Sequence, residues 1–220
     1  GMTISPPCSV TLDGRTDEGE WTCASDDYLA GMREVAAAIR GEGSLAVLQL
    51  RHAGRLAFES PMGPSDVPSP SPGAVNPREM TEREIEAVIT AFGEGARRAV
   101  LAGFDAVEID GADGGLIQQF FSPHANHRHD QWGGGVENRA AFPIAVLEEV
   151  REIVRRNAYR PFAIGFRLAP EEISEPGIDL TESIQLIEGL VACRPDWIHI
   201  SSNDYFAGSR RSSQSRRPLA

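Results

Sequence analysis

The amino-acid sequence predicts an α/β fold of the (β/α)8 TIM-barrel type, present only in part. Three observations carry this expectation. Short apolar runs rich in β-branched residues, at about 2–5, 45–50, 104–109, 162–168 and 197–201, alternate with longer stretches of helical period. The runs are largely apolar on both faces, as strands of a parallel sheet covered by helices must be. No G-x-G-x-x-G or P-loop turn joins a strand to a helix start, which disfavours a dinucleotide-binding sheet and leaves the barrel.

Taken in order, MTIS opens the sheet, and Ser25-Asp26-Asp27 caps a helix whose apolar face runs Leu29, Met32, Val35, Ala36 and Ile39 before Gly41 or Gly43 ends it. LAVLQL is the second strand and ends at Gln49, with His52 and Arg55 just beyond. The Pro/Ser-rich segment 58–79 is too long for a simple barrel connection, so an ordered loop over the strand ends is expected. Thr81-Glu82-Arg83-Glu84 reads as a capping box before Ile85, Val88, Ile89, Phe92, Ala96 and Ala99, and Gly103 is the stop. FDAVEI leads to Asp110 and Asp113; a helix over about 137–157 precedes FAIGFRL and Arg167; a helix over about 181–193, from a Thr181 cap, precedes WIHIS, Ser201 and Ser202. A domain over 1–209 is expected, followed by a polar, basic tail at 210–220 without periodicity, read as disordered. Barrel chemistry sits where strands end at the C-terminal face, so the polar residues at those ends are the candidates.

The net charge of −11 and pI near 4.9 argue against a nucleic-acid or anionic-membrane partner, because a phosphate surface would be repelled. No apolar run approaches the roughly 18–20 residues that span a bilayer, and no basic stretch followed by an apolar one opens the chain, so a cytoplasmic protein is expected. Cys8, Cys23 and Cys193, odd in number and widely spaced, read as reduced thiols. Every basic side chain is Arg, which excludes a Schiff-base or P-loop lysine. Asp110 and Asp113 with His124, His127 or His129 also fit an oxygen/nitrogen metal site of a hydrolase. Without a His-x-His on a first strand, no metal is predicted.

The segments LQLRHAGR (48–55), GFDAVEI (103–109) and LIQQFFSPHANHRHDQWGGGVENR (116–139) resemble the Old Yellow Enzyme, or NADH:flavin oxidoreductase, family of FMN-dependent enzymes. The resemblance implies a hydride relay from NAD(P)H through FMN to a small-molecule acceptor. It places Gln49 on the flavin pyrimidine, where an amide both donates and accepts, and Arg167 near N1 and O2, where negative charge develops on reduction. Ser5 and Pro6, in Ser5-Pro6-Pro7, would lie near the isoalloxazine, although the proline pair departs from the small residues expected there. Arg128, Asp130, Glu137, Asn138 and Arg139 would form a structural cluster. Taken alone, Gln49 also fits a backbone-satisfying role and Arg167 an ion pair with a carboxylate such as Glu108. His52 reads as a packed supporting residue, and His124, His127 and His129 as loop residues that cap backbone or face solvent.

Two departures matter. The family carries His-x-x-His or His-x-x-Asn followed by Tyr, groups that donate to a carbonyl or nitro oxygen; this chain has Asp110, Asp113 and Gly115. Ionised aspartates only accept, and would oppose the oxyanion of an enone reduction. Three readings stay open: ionised aspartates facing a cationic or donor-rich substrate, one aspartate kept protonated, or a vestigial, non-catalytic site. The other departure is length, since a whole barrel takes about 250 residues. Only strands two to six of the family's eight are counted, so a fragment, a truncated frame, or a partner or oligomer completing the barrel is expected, with weak or no FMN binding by this chain alone.

Overall fold

A computed structural model describes residues 1–69 and 75–202; the tail at 210–220 lies outside the described residues. The elements are β1 (Met2–Ser9), α1 (Leu29–Gly41), β2 (Leu45–Arg51), β3 (Met62–Gly63), β4 (Arg78–Glu79), α2 (Glu82–Ala102), β5 (Ala106–Gly111), α3 (Leu116–Phe121), α4 (Val136–Asn157), β6 (Ala163–Leu168), α5 (Leu180–Ala192) and β7 (Trp197–Ile200). Among the described residues the main sheet has five strands in the order β1-β2-β5-β6-β7, every neighbouring pair parallel. Spatial order equals chain order, without the reversal that marks a doubly wound sheet. The helices follow suit: α1 packs on α2, α2 on α4 and α4 on α5. This is an arc of a barrel, as the alternating pattern predicts.

The period of two along each strand sorts the side chains. Leu48, Leu50, Val107, Ile109, Ile164, Phe166 and Leu168 join the hydrophobic core against the helices, with Phe92, Phe142 and Val146. Phe120 stacks on Phe142 at 4.1 Å between ring centroids, tying α3 to α4. Each such ring contributes about 1.5–3 kcal/mol by leaving water. The intervening residues, Gln49, Arg51, Glu108, Asp110, Gly165, Arg167, Trp197 and His199, take the opposite, inner face. In a barrel that face is normally filled by apolar branched side chains; here its upper half is polar.

Local signals decide the boundaries. The Thr81 capping box forms reciprocally with Glu84, and Gly103 ends α2 at φ 89°. Ser25 caps a 3-10 turn, Asp26–Tyr28, that runs into α1. The cap of α5 is Asp179, not Thr181: its carboxylate accepts the Glu182 N–H at 2.9 Å, and a carboxylate at a helix N-terminus also complements the dipole. β1 runs on to Ser9 through Pro6 and Pro7, beyond the expected end at residue 5. The ladder shifts register between Ile4 and Pro7, and Ser5 Oγ accepts the Gln49 N–H at 3.1 Å within that bulge. The helix α3 lies in a stretch for which the sequence pattern predicts no element; six residues are too few to show a period.

The segment 58–79 includes the short β3–β4 ladder, with residues 70–74 outside the description. Arg128 pins it: its guanidinium donates to Pro64 O at 3.1 Å and Met80 O at 2.7 Å while pairing with Asp130 at 2.6 Å. Arg139 donates to Phe121 O at 2.9 Å and Gly134 O at 2.7 Å, and pairs with Glu182 on α5; Asn138 donates to Asp130 O at 3.3 Å. Among the described residues no helix is long and apolar enough to cross a membrane.

Candidate functional site

Strand register builds the inner face in two rows. The lower row pairs Pro7 with Gln49, Gln49 with Glu108, Glu108 with Gly165, and Gly165 with Trp197. Glu108 is fully buried. Its Oε1 accepts from Gln49 Nε2 at 2.8 Å; its Oε2 accepts from Trp197 Nε1 at 3.0 Å and meets His199 Nδ1 at 3.0 Å. Three partners on one carboxyl group offset the desolvation that would otherwise make it costly there. The indole of Trp197 lies across Gly165, where a Cβ would stand 1.9 Å from Cε2.

The upper row pairs Asp110 with Arg167 and Arg167 with His199. Asp110, 1% exposed, lies 3.8 Å from Arg51 Nε and 3.9 Å from Arg167 Nη1, and its Oδ1 accepts the Ala112 N–H at 3.1 Å. Arg167 is drawn toward the mouth: Nη1 lies 2.9 Å from Asp113 Oδ2, and Nη2 donates to Ser201 Oγ at 2.9 Å, which donates to Asp113 Oδ1 at 3.2 Å. Asp113 reaches this place because Asp113 and Gly114, with φ 52° and 73°, form a left-handed turn closed by Gly115 N–H to Ala112 O at 3.0 Å. Asp-Gly suits such a turn, since Asp and Gly tolerate positive φ.

Burial pushes the Asp110 carboxyl up to about 6, against the pull of Arg51, the Ala112 N–H and Arg167, with a small further push from Asp113. Burial, more than repulsion between the two aspartates, is therefore what favours a neutral Asp110. The folded value lies above the unfolded one, so this group's contribution to stability is fully present below pH 4 and lost as pH rises through 6. A carboxyl-carbon NMR titration of Asp110 is expected to show a midpoint near 6, and a midpoint at or below the model-peptide value would contradict this environment.

Above the rows, a cleft of about 540 Å³ opens at the strand ends between Arg55, Asp113, Gln119, Glu172 and Ser201. Arg51 Nε, Arg167 Nε and Asp110 Oδ2 are buried without a hydrogen-bond partner among the described residues. Each such group costs about 1–3 kcal/mol if left unmet, so the inner face is suited to a ligand that brings both donors and acceptors. A planar heterocycle with alternating carbonyls and ring nitrogens along one edge, as in isoalloxazine, has that chemistry.

The sequence candidates fall out as follows. Gln49, Arg167, Asp110 and Asp113 come together on one face. Gln49 is bound to Glu108, and the partner of Arg167 is Asp113, not Glu108. Ser5 lies in the bulge beside Gln49, and Pro6 is exposed on β1. His52 is buried, its Nδ1 accepts the Gly54 N–H at 3.0 Å, and burial lowers its pKa to about 4, which makes it a neutral packing residue. The aspartates meet arginines instead of histidines, and among the described residues no group of three His, Cys, Asp or Glu is placed to hold a metal ion. Arg51, Trp197 and His199 escaped the sequence reading, and Glu108 entered it only as a partner for Arg167. Their signal was present as polar or aromatic residues two apart within strands: Gln49/Arg51, Glu108/Asp110 and Trp197/His199.

A parallel arc whose strand ends carry a polar, partly unsatisfied inner face is that of a TIM-barrel protein with its candidate site at the C-terminal ends of the strands. The model of the NADH:flavin oxidoreductase / NADH oxidase family matches residues 1–218, and the chain belongs to that family. It is 40% identical over 223 residues to the probable NADH-dependent flavin oxidoreductase YqiG of Bacillus subtilis, covering 99% of this chain and 59% of that protein. It is 42% identical over 207 residues to NADH:fumarate oxidoreductase of Klebsiella pneumoniae, covering 91% of this chain and 22% of that protein. Among solved structures, a complex of 2-naphthoyl-CoA reductase with 2-naphthoyl-CoA superposes with a TM-score of 0.84 at 29% identity, over 92% of this chain and 33% of that one. The chain thus spans little more than half of the first relative and under a quarter of the second.

Proposed function

We propose that this chain carries the flavin seat of an FMN-dependent NAD(P)H oxidoreductase whose acceptor is not an ordinary enone. FMN supplies the two-electron hydride relay between NAD(P)H and a second small molecule. The observation that carries the reading is the convergence of Gln49, Arg51, Asp110 and Arg167 on one inner face, with unmet buried polar atoms. Gln49 and Arg167 would grip the pyrimidine edge of the ring, Ser5 and Pro6 would border it along β1, and the guanidinium would balance negative charge arising there on reduction.

Asp110 and Asp113 determine the polarity above that seat. Their oxygens accept hydrogen bonds, so they suit the carboxamide N–H of a nicotinamide and the positive charge its ring acquires on giving up hydride. The same oxygens oppose an enolate forming on an enone. Relatives bearing NADH:fumarate oxidoreductase and NADH oxidase names are in keeping with NADH oxidation as the shared half-reaction. The test is the absorption spectrum of purified protein with added FMN, followed by NADH and NADPH consumption with and without cyclohexenone. Weakly bound flavin, and nicotinamide oxidation unaffected by the enone, are expected. Rapid enone turnover would overturn the substrate reading, and failure to bind FMN would favour a vestigial family member or a seat that needs the barrel's further strands.

A further inference from the structure

The carboxyl group of Glu108 has no place in the hydride chemistry, yet it is the most fully enclosed charged side chain on the inner face and touches three other inner-face residues. Its two oxygens are not equivalent. Trp197 Nε1, which can only donate, occupies Oε2 together with His199 Nδ1, leaving Oε1 for Gln49. The Gln49 carboxamide must therefore turn its nitrogen toward Glu108, and its carbonyl oxygen is the arm left for a ligand. The backbone of Gln49 is held as well, by its N–H to Ser5 Oγ at 3.1 Å.

We propose that Glu108 is a positioning residue that fixes the carboxamide of Gln49 so that it meets its ligand as an acceptor, and thereby selects a ring edge that offers an N–H. The inference rests on the flavin reading, in which that donor is the imide N–H of the isoalloxazine. A carboxamide free to turn over would accept either polarity; one locked from behind by an acceptor discriminates.

The chemistry dictates the variants. In Glu108→Gln the single carbonyl oxygen is claimed by Trp197 and His199, so the new NH2 faces Gln49 and forces its carboxamide to turn over, donor toward the ligand. FMN affinity is expected to fall about tenfold or more, as a donor meets a donor. In the double variant Gln49→Glu with Glu108→Gln, the carboxylate at position 49 accepts from the new NH2 and again presents an acceptor to the ligand, so most of the lost affinity is expected to return. A merely structural Glu108 would not be rescued by a second change in its neighbour.

FMN titrations by fluorescence quenching on the purified full chain, paired with N3-methyl-FMN, read this directly. The methyl analogue lacks the donor, so the ratio of its Kd to that of FMN should be large in the parent, about tenfold smaller in Glu108→Gln, and restored in the double variant. Steric effects of the methyl group are common to all three and cancel. A folded Glu108→Gln protein with parental FMN affinity and an unchanged ratio would overturn the proposal while leaving the flavin reading intact. Should that variant not fold, the double variant decides: parental discrimination supports the proposal and its loss overturns it. A parent that refuses FMN would overturn both.

Discussion

Gly165→Ala is expected to lower the unfolding free energy by about 1–3 kcal/mol and to detach Trp197 from Glu108. A Cβ at this position would stand 1.9 Å from Trp197 Cε2 and 2.3 Å from Nε1, far inside van der Waals contact, while Gly165 and Trp197 are held opposite each other by the β6–β7 ladder. The indole must swing away, and the buried Glu108 carboxyl then loses one of its donors. Denaturant unfolding measures the cost, and a double-mutant cycle with Trp197→Ala assigns it. With the ring gone, the added methyl should cost little, giving a coupling of at least about 1 kcal/mol. Strict additivity of the two changes would show that the ring does not lie over Gly165.

The second large effect concerns the polarity of the mouth. The double variant Asp110→Asn with Asp113→Asn is expected to bind a simple phenolate such as 4-nitrophenolate about 10- to 100-fold more tightly at low ionic strength. Two acceptor-only groups become amides that can donate, and the positive charge of Arg51 and Arg167, now balanced by Asp110 and Asp113 at 2.9–3.9 Å, is left to the ligand. Asparagine suits the left-handed backbone at position 113, where φ is 52°, so the turn should persist. Calorimetric titration with the phenolate at pH 8 is the measurement. Unchanged or weaker affinity would show that these carboxylates do not set the polarity at the strand ends.

Much of the fold was legible because its signals are local. The reciprocal Thr81–Glu84 box and Gly103 punctuate α2 where expected, and the strand runs appear within two or three residues of the observed bounds, except at β1. The misses have identifiable causes. A proline pair reads as a strand end, yet an edge strand tolerates it by a bulge, and Ser5 satisfies the Gln49 N–H there. Asp179, not Thr181, is the cap because helix α5 begins two residues earlier than a Thr181 cap implies. The six residues of α3 are held by burial of Leu116, Ile117, Phe120 and Phe121, a tertiary effect with no periodic signature.

The sequence by itself determined the class of the fold, the family, and which strand ends carry polar side chains, because alternation, caps and motif spacing are properties of neighbours along the chain. Only the tertiary structure decided how those side chains share the inner face. Register across β2, β5, β6 and β7 sets Gln49 beside Glu108 and Trp197 over Gly165, and it brings Asp110 near two guanidinium groups while raising its pKa by burial. Pairing between strands far apart in the chain depends on hydrogen-bond register and on the volume each side chain excludes, and neither is written in any single segment.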